Sequence, residues 1–220
     1  MNMKELYSQF MEILQREDKQ GAVNLVLDKL GSGELDILTL YSEILAPAQN
    51  ELVCWQDDTI CIWREHVRTS IIRTVLECCY PYVVKEIGKY KLANGEKVLI
   101  GCPSEEYHEI GARMVADFFT LLGFDCIFVG ANTPQSEILG AIEHIKPKVV
   151  AISVTNFYNL VAASKIIDNL RYIRKEKNLD FKIIVGGNAF RMNANAEIGA
   201  DSVLQTFGDL KRFTQEAFPR

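Results

Sequence analysis

What this chain lacks narrows its function before any motif is considered. Its basic residues form no long block and its formal charge is −5, so it offers no cationic face to displace counterions from a nucleic acid. Direct nucleic-acid binding is not expected. No window approaches the run of about eighteen apolar residues that a membrane span requires. The start, Met1-Asn2-Met3-Lys4-Glu5, lacks the basic segment and apolar run of a signal peptide, so the expected location is the cytoplasm. The six cysteines (Cys54, Cys61, Cys78, Cys79, Cys102, Cys126) contain no Cys-x-x-Cys pair, and neighbours Cys78 and Cys79 are poorly placed to bridge each other, which predicts reduced, mostly buried thiols. No Gly-x-Gly-x-x-Gly follows the first apolar strand and no phosphate-cradling lysine loop occurs, so nicotinamide and nucleoside triphosphate are poor ligands. The acid–base pair of a stand-alone hydrolase is not evident either. Glu105, Glu106 and Glu109 cluster, but a helix start favours acidic groups in any case.

What is present divides in two. With 220 residues, 48% hydrophobic and 24% charged, the chain has material for two small cores. Residues 1–90 read as an all-helical bundle cap. Leu6, Phe10, Ile13 and Leu14 share one helical face over 3–16, and Val23, Val26, Leu27 and Leu30 share another over 21–30. A third helix is predicted over 34–54 with Ile37, Leu38, Tyr41, Ile44 and Leu45 inward, where Pro47 either kinks it or begins a new turn. Gln56-Asp57-Asp58-Thr59 reads as a capping turn. The helix after it places Ile60, Trp63, Val67, Ile71 and Val75 inward as far as Tyr80. Pro81 ends or bends that helix, and the pattern resumes through Val84 and Ile87. Residues 91–96, with Asn94-Gly95, form the linker.

From Lys97 the period changes. Apolar strands at 98–100, 126–129, 149–153, 181–185 and 202–204 alternate with helices at 110–122, 135–145, 159–176 and 208–217. Strands apolar on both faces and separated by helices predict a five-stranded parallel doubly wound sheet of the flavodoxin-like kind over 97–220. In such a sheet the ligand edge collects the loops that follow each strand.

Those loops contain few groups with chemistry. The first, Cys102 to Gly111, holds His108, and a lone loop imidazole is either a metal donor or a solvated, structurally bonded residue. Ser153 and Thr155 either donate hydroxyls into the crevice or cap the next helix. Gly186-Gly187 either admits a close approach to bare backbone or makes a tight turn. His144, near a helix end, has only a surface role.

Spacing joins these loops. Forty-one residues separate Gly111 from Ser153 and thirty separate Thr155 from Gly186. Over about 97–210 the sequence resembles the cobalamin-binding domain of methionine synthase, base-off mutases and corrinoid proteins, with its Asp-x-His-x-x-Gly, Ser-x-(Leu/Thr) and Gly-Gly pattern. Glu106 stands where most of that family has aspartate. With His108-Glu109-Ile110-Gly111 and Gly130-Ala131-x-Thr133-Pro134, it looks like the subgroup of light-responsive, cobalamin-dependent transcription regulators of the MerR type. Trp55, followed by nine residues and then Glu65-His66, resembles the signature in the helical cap of those photoreceptors. Gln56 stands where that cap commonly has a histidine, and the chain starts at the cap, ahead of which the photoreceptors have a DNA-binding domain.

The resemblance implies roles. His108 would replace the cofactor's benzimidazole beneath cobalt, with Glu106 accepting the other ring N–H. Ser153, Val154, Thr155, Gly186 and Gly187 would line a slot for the displaced nucleotide tail, and Gly111 would let the next helix start close beneath the corrin. Trp55 would pack over a 5′-deoxyadenosyl group, with Glu65 and His66 adding polar contacts. The expectation is a non-enzymatic adenosylcobalamin sensor, responsive to light or to cofactor supply, that signals as a homo-oligomer or through a partner regulator. Its alternative is a corrinoid methyl carrier for a separate methyltransferase, and a third reading is a flavodoxin-like module without cofactor.

Overall fold

The computed structural model describes residues 2–51, 61–192 and 198–219, and the chain divides into two compact units, Met1–Glu86 and Ile87–Arg220. Residues 52–60 lie outside the described part, and with them Trp55, Ile60 and the expected Gln56–Thr59 turn.

The first unit is helical: α1 (Met3–Gln15), α2 (Lys19–Ser32), α3 (Ile37–Thr39), a π-helical stretch Leu40–Leu45, α4 (Ala46–Glu51) and α5 (Cys61–Tyr90), which continues into the second unit. Asp18 and Asp36 cap α2 and α3 by accepting the N–H groups of Gly21 and Thr39 at 2.8 and 2.7 Å. Phe10, Leu14, Ile37, Leu40, Tyr41, Ile44 and Leu45 are buried. The predicted third helix is thus interrupted by π hydrogen bonding. The extra residue per turn keeps Leu40, Tyr41, Ile44 and Leu45 all inward, and the register returns to α just before Pro47, whose ring cannot donate an N–H.

Three expectations for α5 are corrected. Trp63 is 48% exposed rather than inward, because the buried face begins at Ile71 and Ile72 and runs through Val75, Leu76, Cys79 and Val83. The Trp63 ring instead lies 5.4 Å from the Arg64 guanidinium. Pro81 does not end the helix, which leaves the bend as the reading that stands: it sits inside one run of 30 residues, on an exposed position where the missing hydrogen bond does not strand a buried group. Val83, not Val84, is the buried neighbour. Buried Glu86 accepts the Ile37 N–H at 3.3 Å, placing a carboxylate at the start of α3.

The second unit is a five-stranded parallel sheet in the order β2-β1-β3-β4-β5, as the strand pattern predicts. Its elements are β1 (Lys97–Pro103), α6 (Ile110–Leu121), β2 (Asp125–Thr133), α7 (Gln135–Ile145), β3 (Val149–Ser153), α8 (Leu160–Glu176), β4 (Lys182–Gly186), α9 (Asn188–Met192), β5 (Ser202–Val203) and α10 (Phe207–Ala217). Strand residues alternate between two buried faces. Leu99, Val150, Ile152, Ile183 and Val185 pack with Ile138, Ile142, Ile166 and Leu170 of α7 and α8, while Val98, Ile100, Ala151 and Ile184 pack with Phe119, Leu210 and Phe213 of α6 and α10. Each large aliphatic side chain so covered contributes about 1.5 to 3 kcal/mol of burial.

Three details differ from the sequence reading. Residues 91–96 are tied to the sheet unit: the Leu92 and Ala93 N–H groups both reach the Leu122 carbonyl at 2.8 Å, and Ala93 is buried. Strand β2 runs on to Thr133, with register shifts against β1 on either side of Gly101. A short helix, α9, follows the paired glycines. Among the described residues Cys78, Cys79, Cys102 and Cys126 form no disulfide and are buried or half-buried, and no helix is long and apolar enough to cross a membrane.

Candidate functional site

Sheet order fixes where a ligand goes. The chain winds outward from β1 to β2 and then returns to β3 on the other side of β1, so the loops after β1 and β3 part at a topological switch point. One side chain holds these two loops together there.

That side chain is Glu106, fully buried. β1 ends in a turn in which the Glu106 N–H reaches the Pro103 carbonyl at 3.0 Å, and this turn directs the carboxylate under the loop after β3. Its Oε2 accepts the N–H groups of Thr155 and Asn156 at 2.9 and 2.8 Å and the Asn159 amide at 3.1 Å. Its Oε1 accepts the His108 N–H at 3.1 Å and lies 2.6 Å from His108 Nδ1. Burial alone would raise the pKa of this carboxyl. The His108 ring, the Asn156 N–H and the Asn159 amide outweigh it and bring the pKa down to about 2.

The tautomer of His108 follows from that charge. An ionised carboxylate only accepts, so Nδ1 carries a proton, which leaves Nε2 as the ring nitrogen with a lone pair to offer whenever the ring is neutral. The His108 side chain is 53% exposed, against 0% for Glu106. The pair therefore presents an oriented imidazole at the switch point. Cys102, whose Sγ lies 4.0 Å from the His108 carbonyl, is no rival donor, since burial, with help from the Glu106 and Glu109 charges, pushes its thiol up to about 12.

The other predicted residues fall into three groups. Ser153, Val154 and Thr155 lie at the end of β3 beside the pair, Val154 buried and its neighbours half-buried, and the Thr155 backbone rather than its hydroxyl meets Glu106. Gly186 and Gly187 stand next to them across the Ser153 to Gly186 pairing. Both readings of Gly187 hold: its φ is +104°, and a Cβ there would meet the Val154 carbonyl oxygen at 2.3 Å. A Cβ on Gly186 would meet the Leu204 carbonyl at 2.6 Å. The close approach is thus made by the protein's own backbone, so these glycines set how the loops pack. At Gly111 a Cβ would meet nothing within 4 Å, leaving open space at the start of α6. Glu65 and His66 belong to the helical unit. Glu65 accepts the Thr69 hydroxyl at 3.1 Å, Thr69 in turn meets the Gln49 amide at 3.2 Å, and His66 is exposed. Trp55 lies outside the described residues.

Two site residues escaped the sequence reading. Asn159 reads as the start of a helix, yet its buried amide turns back to Glu106 and to the Glu105 carbonyl at 3.2 Å. Asn132 lies in the Gly130–Pro134 motif, and its side chain accepts the Glu105 N–H at 2.8 Å. No local pattern separates either from an ordinary turn asparagine.

Among the described residues no three His, Cys, Asp or Glu side chains converge as a metal cage. A single oriented imidazole suits a metal whose other donors come with it, as cobalt's do in a corrin. A B12 binding domain family model matches residues 96–210. The chain belongs to that family. Among curated proteins this B12-binding chain is similar to a corrinoid protein of Desulfitobacterium hafniense strain Y51, 26% identical over 129 residues, which are 56% of this chain and 58% of that protein. It is also similar to the HTH-type transcriptional repressor CarA of Myxococcus xanthus, 29% identical over 137 residues, 60% of this chain and 43% of the repressor. The chain thus spans about half the length of the curated relatives it matches. Among solved structures it shares the fold of the Methanosarcina barkeri monomethylamine corrinoid protein, with a TM-score of 0.79 and 16% identity over 99% of this chain and 100% of that one. A B12-binding sheet preceded by helices is therefore its architecture. The fit to the group is chemical: an imidazole oriented by a buried anion is a donor that cobalt would accept.

Proposed function

We propose that this protein is a corrinoid methyl carrier that serves a separate methyltransferase. The observation that carries the cofactor part is the Glu106–His108 pair, a buried anion locking an imidazole whose ring faces the switch point. In this reading His108 Nε2 would hold the cobalt, Glu106 would fix the ring, and Ser153, Val154, Thr155, Gly186 and Gly187 would border the nucleotide tail. Gly111, where a Cβ would meet nothing within 4 Å, would let α6 start close beneath the corrin. When bound, the corrinoid supplies the cobalt that takes up and releases a methyl group. Support for a carrier over a sensor comes from likeness. The helices and sheet together correspond over the full length to a monomethylamine corrinoid protein, and a curated relative is named a corrinoid protein.

A second reading, an adenosylcobalamin sensor with Trp55, Glu65 and His66 over the upper face, is favoured by the similarity to the CarA repressor. Glu65 is already engaged with Thr69, which weighs against it. Titration with hydroxocobalamin, methylcobalamin and adenosylcobalamin, followed by absorption and by size exclusion in darkness and under green light, separates the two. A carrier binds the hydroxo and methyl forms at least as tightly as the adenosyl form, loses binding on His108→Ala and keeps its assembly state in light. Exclusive binding of adenosylcobalamin with light-driven reassembly would overturn the carrier in favour of the sensor.

A further inference from the structure

The turn that delivers Glu106 is built on a residue unsuited to it. Glu105 has a φ of +66°, in the left-handed region that a side chain with a Cβ disfavours and glycine occupies freely. The turn is closed by the Glu106 N–H on the Pro103 carbonyl, which puts Glu105 at its third position, where turns of this hand take glycine or asparagine. No intrinsic preference of Glu105 holds it there. Two asparagines from other loops do: the Asn132 side-chain Oδ1 accepts the Glu105 N–H at 2.8 Å, and the Asn159 side-chain amide donates to the Glu105 carbonyl at 3.2 Å. Asn132 also donates its own N–H to the Glu106 carbonyl at 2.9 Å, so side chain and backbone of one residue grip both ends of the Glu105–Glu106 step.

The end of β2 is shaped to deliver that grip. Between the Gly101 to Gly130 and Pro103 to Thr133 pairings β1 advances two residues and β2 three, and a second shift lies just before. Bulges of this kind re-aim side chains. Here the bulge lifts Asn132, itself at φ +50°, out of the ladder and over the neighbouring turn.

We infer that Asn132 is a positioning residue for the imidazole: it holds the left-handed Glu105 turn, which sets Glu106, which sets His108. The inference rests on the cofactor reading only for its effect on cobalamin. Its geometric part concerns the protein alone. Left-handed backbone at residue 105 is the quantity Asn132 supplies, so a glycine at that position makes Asn132 dispensable.

The test follows the His108 Nδ1 proton by nitrogen-edited NMR of the cofactor-free protein, and hydroxocobalamin affinity by absorption titration. The proteins compared are wild type, Asn132→Ala and the Asn132→Ala, Glu105→Gly double variant, each checked for fold by circular dichroism. Expected in Asn132→Ala are broadening or an upfield shift of the hydrogen-bonded Nδ1 proton and about 10-fold weaker cobalamin binding, both restored in the double variant. An unchanged Nδ1 signal in Asn132→Ala overturns the inference. So does weakened binding that Glu105→Gly fails to restore, because Asn132 then touches the ligand itself. If Asn132→Ala proves unfolded, the double variant decides: a folded double variant with the wild-type Nδ1 signal supports the inference, and an altered signal overturns it. A wild type that takes up no cobalamin, while the Nδ1 signal is lost and restored as expected, sinks the cofactor reading and leaves the positioning role standing.

Discussion

Each unit of this chain pairs a glutamate with a histidine, and the two pairs differ in everything except residue type. Glu65 and His66 lie 3.5 Å apart on α5 with side chains 25% and 72% exposed, whereas Glu106 and His108 lie 2.6 Å apart with 0% and 53% exposed. In the helical unit water screens the contact, and the Thr69 hydroxyl four residues along the same helix takes part of the carboxylate's capacity. In the sheet unit three backbone N–H groups, an amide and an imidazole converge on one carboxylate, and most come from a loop some fifty residues away. The lesson is that a Glu–His pair orients its ring only where the carboxylate is itself held.

The comparison is most exposed to failure at Glu106. Replacing it in Glu106→Leu strips five donors of their acceptor and should cost about 3 to 5 kcal/mol, read as a lower urea midpoint. A loss below 1 kcal/mol, on the order of a surface pair, would erase the distinction between the units. Acid gives the next effect. The carboxyl is held near 2, below its ordinary value of 4.5, so its stabilisation is complete above about pH 4.5 and is lost as pH falls towards 2. That window should carry about 3 kcal/mol, and urea midpoints measured across it should flatten in Glu106→Gln. Smaller again is Gly187→Ala, where positive φ and the Val154 carbonyl oppose a Cβ and about 2 to 3 kcal/mol is expected. His66→Ala should fall within about 0.5 kcal/mol by the same measurement, and a larger loss would mean that the exposed pair is structural after all.

Much of the sheet unit was legible. Apolar strands buried on both faces and helices between them are local signals, and α7 and β3 fall at the predicted residues. The helical unit was less so. Trp63 fits an inward periodicity, but periodicity cannot say where along a 30-residue helix the buried stretch begins. At the site, Glu106 and His108 stood out by type and spacing. Asn132 and Asn159 did not, because their bonds to Glu105 and Glu106 close over 27 and 53 residues and leave no mark in either segment. The light-sensing expectation for the family subgroup gains no support from the B12-binding match or from the shared fold, which reach only as far as cobalamin binding and architecture.

By itself the sequence determined the alternation of strands and helices, the two-sided burial of the sheet and the identity of the imidazole, since each depends on neighbours within a few residues. Only the tertiary structure decided which groups hold that imidazole, that Glu106 remains an anion while fully buried, and that the paired glycines are packed by the chain's own backbone. The physical reason is that a buried charge is stable only where several donors arrive together, and in this chain they arrive by way of the sheet order that brings β3 beside β1.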